Sequence, residues 1–177
     1  MLNLKSNFFL ENVSAFNFIF LTSEDLEIVR NWRNNENIRK WFYTDHMISN
    51  DEHQKFIEKL KNDNHNYYWL VKQNNDYLGV VSLNKFDSKN KNSYLGIYAN
   101  PDNPQKGIGS VLGNFLLHIA FNIANLHTLK LEVLENNLKA INFYKKLGFI
   151  EEGIIREIIY KSDKWVNVII MGIINNE

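Results

Sequence analysis

Residues Gln105–Phe121 read QKGIGSVLGNFLLHIAF, two glycines one residue apart and then apolar residues at helical spacing. Ile108, Val111, Leu112, Phe115, Leu116, Ile119 and Ile123 recur at steps of three and four, which predicts a helix with one buried face. A glycine inside a helix costs about 1 kcal/mol relative to alanine, so Gly107 and Gly109 need another reason to stand at its start. The first turn of a helix presents unpaired N–H groups to an anion, and glycine removes the Cβ that would hold the anion off the backbone. The stretch reads as a phosphate cradle.

The totals narrow the setting. A chain of 177 residues suits one domain, spanning 1–177, with a sizeable core. Twenty basic and twenty acidic side chains cancel to a net charge of zero, which gives no electrostatic footprint for nucleic acid. The absence of cysteine excludes disulfides, thiolate metal sites and a cysteine nucleophile. The five histidines show no metal-ligand spacing, so no metal is expected. The N-terminal stretch is broken by Lys5, Glu11 and asparagines and lacks the form of a signal peptide. No apolar run is long enough to span a bilayer, so a cytoplasmic protein without membrane contact is expected.

The order of elements comes from periodicity and turn chemistry. A strand is predicted over Ala15–Thr22, then a helix capped by Thr22 or Ser23 with Glu24, Asp25 and Glu27 near its positive end. A short helical piece follows at Ile38–Tyr43 and a third helix in SNDEHQKFIEKLKND. YYWLVKQ and YLGVVSLNKF form a hairpin across NNDY, and SYLGIYAN is the next strand. After the quoted helix come strand TLKLEVL, the short amphipathic helix NLKAINFYKKLGF closed by Gly148, and two strands turning at KSDK. This is an α+β order with one strand–helix–strand crossover in the middle.

Three kinds of phosphate loop compete for Gly107 and Gly109. A P-loop requires G-x-x-x-x-G-K-[ST] and a dinucleotide fingerprint G-x-G-x-x-G. Gly107, Gly109 and Gly113 give G-x-G-x-x-x-G, which fits neither. The stretch resembles instead the acyl-coenzyme A loop of the GNAT superfamily of N-acetyltransferases, Gln/Arg-x-x-Gly-x-Gly/Ala opening a long helix. Gly107, Ile108 and Gly109 match and Ser110 follows, whereas Pro104 stands where the family has Gln or Arg. NLKAINFYKKLGF resembles the superfamily's next signature, Asn-x-x-Ala-x-x-x-Tyr-x-x-x-Gly-Phe, with Asn137, Ala140, Tyr144, Gly148 and Phe149 in register.

The resemblance implies a GNAT fold, with a mixed, mostly antiparallel sheet of about seven strands, a splayed central pair and flanking helices. It implies acetyl-coenzyme A as co-substrate, its phosphates on Lys106, Gly107, Ile108, Gly109 and Ser110, and its pantetheine arm beside Asn137. N–H groups around Ile97 and Tyr98 would polarise the thioester carbonyl. Gly96 would mark a bulge or close approach where the strands part. Direct transfer needs a neutral amine, a polarised carbonyl and a proton for the departing thiolate. Tyr144 suits the last task, since a phenol of pKa about 10 keeps its proton at neutral pH. The plainer role for Tyr144 is a core tyrosine, and for Asn137 a helix cap. Glu132, opposite Leu131 and Val133 on its strand, is the candidate base, through a water shared with Ser82; the plainer reading is a solvated glutamate.

The acceptor is read from RNWRNNENIRKWFYTDH (Arg30–His46), where Arg30, Arg33, Arg39 and Lys40 interleave with Trp32, Trp41, Phe42 and Tyr43. Arginine forks bind phosphate and aromatic rings stack on bases, a combination suited to a nucleotide diphosphate. The plainer reading is a core Trp32 and a solvated basic face. YLGVVSLNKF, SYLGIYANP and LEVLENNLKAINFY resemble the bacterial acetyltransferases of pseudaminic acid biosynthesis, which act on a UDP-linked 4-amino-4,6-dideoxy-N-acetyl-altrosamine. That resemblance implies Arg33, Tyr43, His53, Asn84, Lys85 and Tyr98 as contacts to a small-molecule UDP-amino-sugar. A homodimer is the assembly to test for. Two alternatives stay open: an acetyltransferase of ribosomal-protein N-termini, and a non-catalytic acyl-coenzyme A-binding module.

Overall fold

The computed structural model describes residues 3–103 and 105–175. Pro104, at the first position of the acyl-coenzyme A loop pattern, lies outside them. Strands β1 (Phe8–Leu10), β2 (Val13–Asn17), β3 (Tyr67–Gln73), β4 (Asp76–Asp87) and β5 (Asn92–Ala99) precede β6 (Thr128–Leu134), β7 (Ile150–Lys161) and β8 (Lys164–Ile174). They build one eight-stranded sheet in the order β1-β2-β3-β4-β5-β6-β8-β7. Only β5 and β6 run parallel, joined by α4 (Ile108–His118). The hairpin turns have the expected chemistry: Asn74 and Asn75 sit at φ 48° and 72°, and Ser162 and Asp163 at 51° and 59°, the left-handed pairs that two-residue turns require.

The N-terminal region differs from its expected layout in three places. β1 is an eighth strand, too short for periodicity to show. The strand predicted to Thr22 ends at Asn17, because the Asn17 side chain accepts the Ile19 N–H and turns Phe18–Phe20 into a single 3-10 turn. The helical piece predicted at Ile38–Tyr43 is instead α2 (Glu36–Arg39), capped by Asn35, which leaves Trp41, Phe42 and Tyr43 beyond its end. Thr22 caps α1 (Ser23–Asn34) as expected, and Ser49 with Glu52 forms a reciprocal capping box on α3 (Asn50–Asn62).

Two cores sandwich the sheet. Trp69, Val71, Val81 and Leu83 face α4 and α5 (Leu138–Lys146), while Leu70 and Val80 face α1 and α3. Central strands buried on both sides explain why YYWL and GVV read as unbroken apolar runs. Gly109 and Gly113 on α4 admit the side chains of α5: an added Cβ would lie 3.3 Å from Phe143 Cε2 and 2.6 Å from Leu147 Cδ1, respectively. Helix packing therefore gives Gly109 a reason of its own to lack a Cβ. Gly107 is different, at φ +95° with nothing within 4 Å of an added Cβ.

The sheet has a seam. β6 pairs with β8 along its whole length, Thr128↔Ile174 to Leu134↔Val168. On its other side it pairs with β5 only at Asn92↔Thr128, Ser93↔Leu129 and Tyr94↔Lys130. From Leu95 and Leu131 onward the two strands part, which is the expected splay. Gly96 is not at a bulge: it pairs regularly with Ser82, and an added Cβ would lie 2.5 Å from Ser82 Oγ. The register shift of this hairpin lies farther along, between Asn84 and Asp87.

Candidate active site

On one side of the seam stands the α4–α5 layer. α4 begins at left-handed Gly107 with no side-chain hydrogen bond at its N-cap and no acidic residue in its first turn. Lys106 and Ser110 flank this turn and are exposed. Ile97 packs on the core that contains Ile108, Leu131, Val133 and Tyr144. Tyr144 is 8% exposed, its ring 5.1 Å from Phe143 and 5.8 Å from Phe149. Burial pushes its phenol above the ordinary range, so the proton is firmly held. Asn137 caps α5, its Oδ1 accepting the Ala140 N–H at 3.2 Å.

On the other side lies Glu132, which alternation places opposite Leu131 and Val133. Its Oε2 accepts the Tyr43 hydroxyl at 2.6 Å and its Oε1 the Lys85 ammonium at 3.0 Å. Burial, then the bond to Glu132, raises the Tyr43 phenol. Lys85 Nζ also lies 4.4 Å from the centroid of the Tyr94 ring. Tyr43, Lys85, Tyr94 and Glu132 thus come together from four separate segments at the fork of the seam. Ser82 and Asn84 are not joined to Glu132; they are joined to each other, Asn84 Nδ2 donating to Ser82 Oγ at 2.9 Å. His53 is also apart from this group. It stacks on Phe56 and lines a crevice of about 330 Å³ between α1 and α3 with Glu27 and Asn50.

A third group surrounds Arg33. Its guanidinium lies 3.7 Å over the Phe42 ring, and Nη2 donates to Thr44 O and Oγ1 at 3.1 and 3.2 Å. Nη1 is buried without any hydrogen bond, the single such atom among the described residues. Burial lowers the Arg33 pKa, and Arg39 adds to the effect. Tyr98 packs edge-on to Phe42, and burial raises both the Tyr98 and the Tyr68 phenols, the latter to about 12. Lys161, at the end of β7, donates to Phe42 O at 2.7 Å and feels the positive charges of both Arg33 and Arg39, with Asp45 opposing them. Arg39 and Phe42 belong to the basic–aromatic segment legible in the sequence. Tyr68, Tyr94 and Lys161 had no local signal.

The arrangement has the parts that acyl transfer to an amine needs. A buried phenol stands on one face, a carboxylate stands on the other, and the gap in the sheet lies between them. Among the described residues no group of three or more His, Asp or Glu could hold a metal ion, and no helix is long and apolar enough to cross a membrane. Residues 19–170 match the acetyltransferase (GNAT) domain. The acetyltransferase PseH of Campylobacter jejuni is 34% identical over 148 residues, covering 84% of this chain and 86% of that protein. The same bacterium's PseH in complex with acetyl coenzyme A superposes with a TM-score of 0.67 at 28% identity, over 89% of this chain and 96% of that one. Spermidine N-acetyltransferase from Vibrio cholerae, solved with CoA and spermine, superposes with a TM-score of 0.84 at 27% identity, over 93% and 96% of the two chains.

Proposed function

The chain belongs to the GNAT acetyltransferases, and from that premise we propose that it carries the acetyl group of acetyl-coenzyme A to the amine of a UDP-linked amino-dideoxy sugar. The product would be the diacetamido sugar of pseudaminic acid biosynthesis, later attached to flagellin, and the enzyme would work in the cytoplasm, as a homodimer.

One observation carries the choice of acceptor. Arg33 is a guanidinium with no carboxylate partner among the described residues and a buried Nη1 without a hydrogen bond, and it shares an electrostatic neighbourhood with Arg39 and Lys161. An unpaired buried donor is costly, and a diphosphate would satisfy it while the Phe42 and Tyr98 rings supply stacking surface. The similarity to PseH supports the same choice. The fold is also similar to a polyamine enzyme, but a polycation would meet the positive charges of Arg33, Arg39 and Lys161 beside Phe42.

The roles follow from placement. The open first turn of α4, Lys106 to Ser110, suits the coenzyme's phosphates. Unpaired backbone N–H groups of β5 around Ile97 and Tyr98 suit the thioester carbonyl, and Asn137 keeps its amide NH₂ for the pantetheine arm. Glu132 takes the proton of the acceptor, and Tyr144 gives one to the departing sulfur. The chain has no cysteine, and no serine in a recognisable nucleophile setting, to carry the acetyl group in transit, so both substrates bind together. The test is a panel: acetyl-coenzyme A with UDP-amino-sugars, N-terminal peptides and spermidine. The UDP-sugar should be acetylated and millimolar UDP should compete with it. Turnover of spermidine or peptide with indifference to UDP would remove the sugar assignment.

A further inference from the structure

Lys85 stands in a position that needs explaining. Regular alternation along β4 would put its side chain on the face opposite Asn84. The register shift between Asn84 and Asp87 intervenes, with Lys85 itself at φ 51°. A non-glycine residue in the left-handed region is uncommon, and bulges serve to re-aim a side chain. Here the ammonium is turned onto the face of Tyr94 and Glu132, 4.4 Å from the ring centroid of one and 3.0 Å from the carboxylate of the other. Tyr94 is the last residue of β5 that pairs with β6. The Lys85 amine therefore lies at the fork where the strands part, against the one carboxylate suited to deprotonate an acceptor.

We infer that the Lys85 ammonium occupies the acceptor-amine subsite, as an internal stand-in that an incoming amine displaces and that is itself acetylated when no acceptor is present. This rests on the reading of Glu132 as base and Tyr144 as acid. A carboxylate, held by the Tyr43 hydroxyl, and an aromatic face make a cradle for any primary ammonium. The Lys85 side chain is 64% exposed and swings away without unfolding anything. In the self-reaction Glu132 accepts one proton from the ammonium, the nitrogen bonds to the acetyl carbon, and the carbon–sulfur bond breaks. Tyr144 protonates the sulfur and regains a proton from the nitrogen. One proton is released for each acetyl group transferred.

The experiment incubates the full chain with acetyl-coenzyme A alone and follows lysine acetylation by peptide mass spectrometry. Acetylation at Lys85 should run at least about tenfold faster than at Lys89 and Lys91, because the amine is already held at the reacting centre. It should slow in Tyr144→Phe and be suppressed by the UDP-amino-sugar. Lys85→Met should lower the KM for that acceptor about two- to fivefold, since a surface ion pair no longer competes. If Lys85 reacts no faster than Lys89 and Lys91, or if Lys85→Met raises KM, the inference is overturned while the reading of the site stands. If Tyr144→Phe acetylates the external acceptor at full rate, the reading of the site fails and the inference with it.

Discussion

The two faces of the sheet present their candidate functional groups by different means. On the α4–α5 face the groups are backbone amides and one tyrosine, held by packing: the open turn at Gly107, the length of β5 that β6 leaves, and Tyr144 beside Phe143 and Phe149. On the α1–α3 face they are charged and aromatic side chains that meet across long separations, Tyr43 with Glu132 over 89 positions and Lys161 with Phe42 over 119. Backbone recognition depends on local conformation and tolerates little change. Side-chain recognition is assembled from distant segments and can be altered one residue at a time. This contrast suits an enzyme whose acyl donor is fixed and whose acceptor is chosen.

Tyr144→Phe tests the packed face most severely. It keeps the ring and removes the proton, so kcat should fall about 100- to 10,000-fold with the acetyl-coenzyme A Kd unchanged by calorimetry. Near-normal turnover would reduce Tyr144 to packing. Arg33→Ala tests the other face. A hydrogen bond to a charged group is worth about 1.5–3 kcal/mol, so KM for the UDP-sugar should rise well over tenfold while acetyl-coenzyme A binds as before. Equal losses for both ligands would erase the distinction between the faces. Gly113→Val forces a side chain into the space of Leu147, whose Cδ1 lies 2.6 Å from an added Cβ. Overpacking of this kind costs about 1–3 kcal/mol, readable as a lower Tm, and should weaken the coenzyme more than the sugar.

The smallest effect concerns His53. Burial, and then Arg30, hold its imidazole below the ordinary value of 6.5. The unfolded chain therefore binds the proton more readily, and stability is greatest above that value and falls as pH drops toward the folded pKa. His53→Gln should flatten this part of the denaturation-versus-pH curve and leave KM for the UDP-sugar unchanged. A raised KM would return His53 to the acceptor side.

The contrast also explains what the sequence made legible. Tyr67–Gln73 and Thr128–Leu134 are bounded as their periodicity predicts, because each is a buried strand ended by local turn residues. The cap at Thr22, the paired asparagines at 74 and 75, and Gly148 at φ +96° are equally local. β1 was missed because three residues with an exposed Phe9 carry no period. The site divides in the same way. Gly107 and Tyr144 belong to motifs set by one turn or one helix face. That Lys85 meets Glu132 depends on a left-handed residue within a register shift, which no spacing announces. The family resemblance also grouped His53 with Arg33, but it could not say that His53 lines a crevice with Ser23 and Glu27 of α1.

The three residue pairs that join β5 to β6 also bear on how the molecule breathes. Strands β1 to β5 form one lobe, built almost wholly from neighbours in sequence, and β6, β8 and β7 form another. Between them the covalent link is the α4 crossover and the strand-to-strand backbone link is a short zipper, beside the side-chain bonds of Glu132 and Lys161. Opening this zipper breaks few backbone bonds, so it should be among the cheapest sub-global openings in native-state hydrogen exchange. Alternate amides from Leu95 to Ala99 should trade their protons well before those locked between β6 and β8. A strand-like ligand lying in the gap would slow them and bind the two lobes into one cooperative unit, so the enzyme would be most rigid when loaded and ready to react.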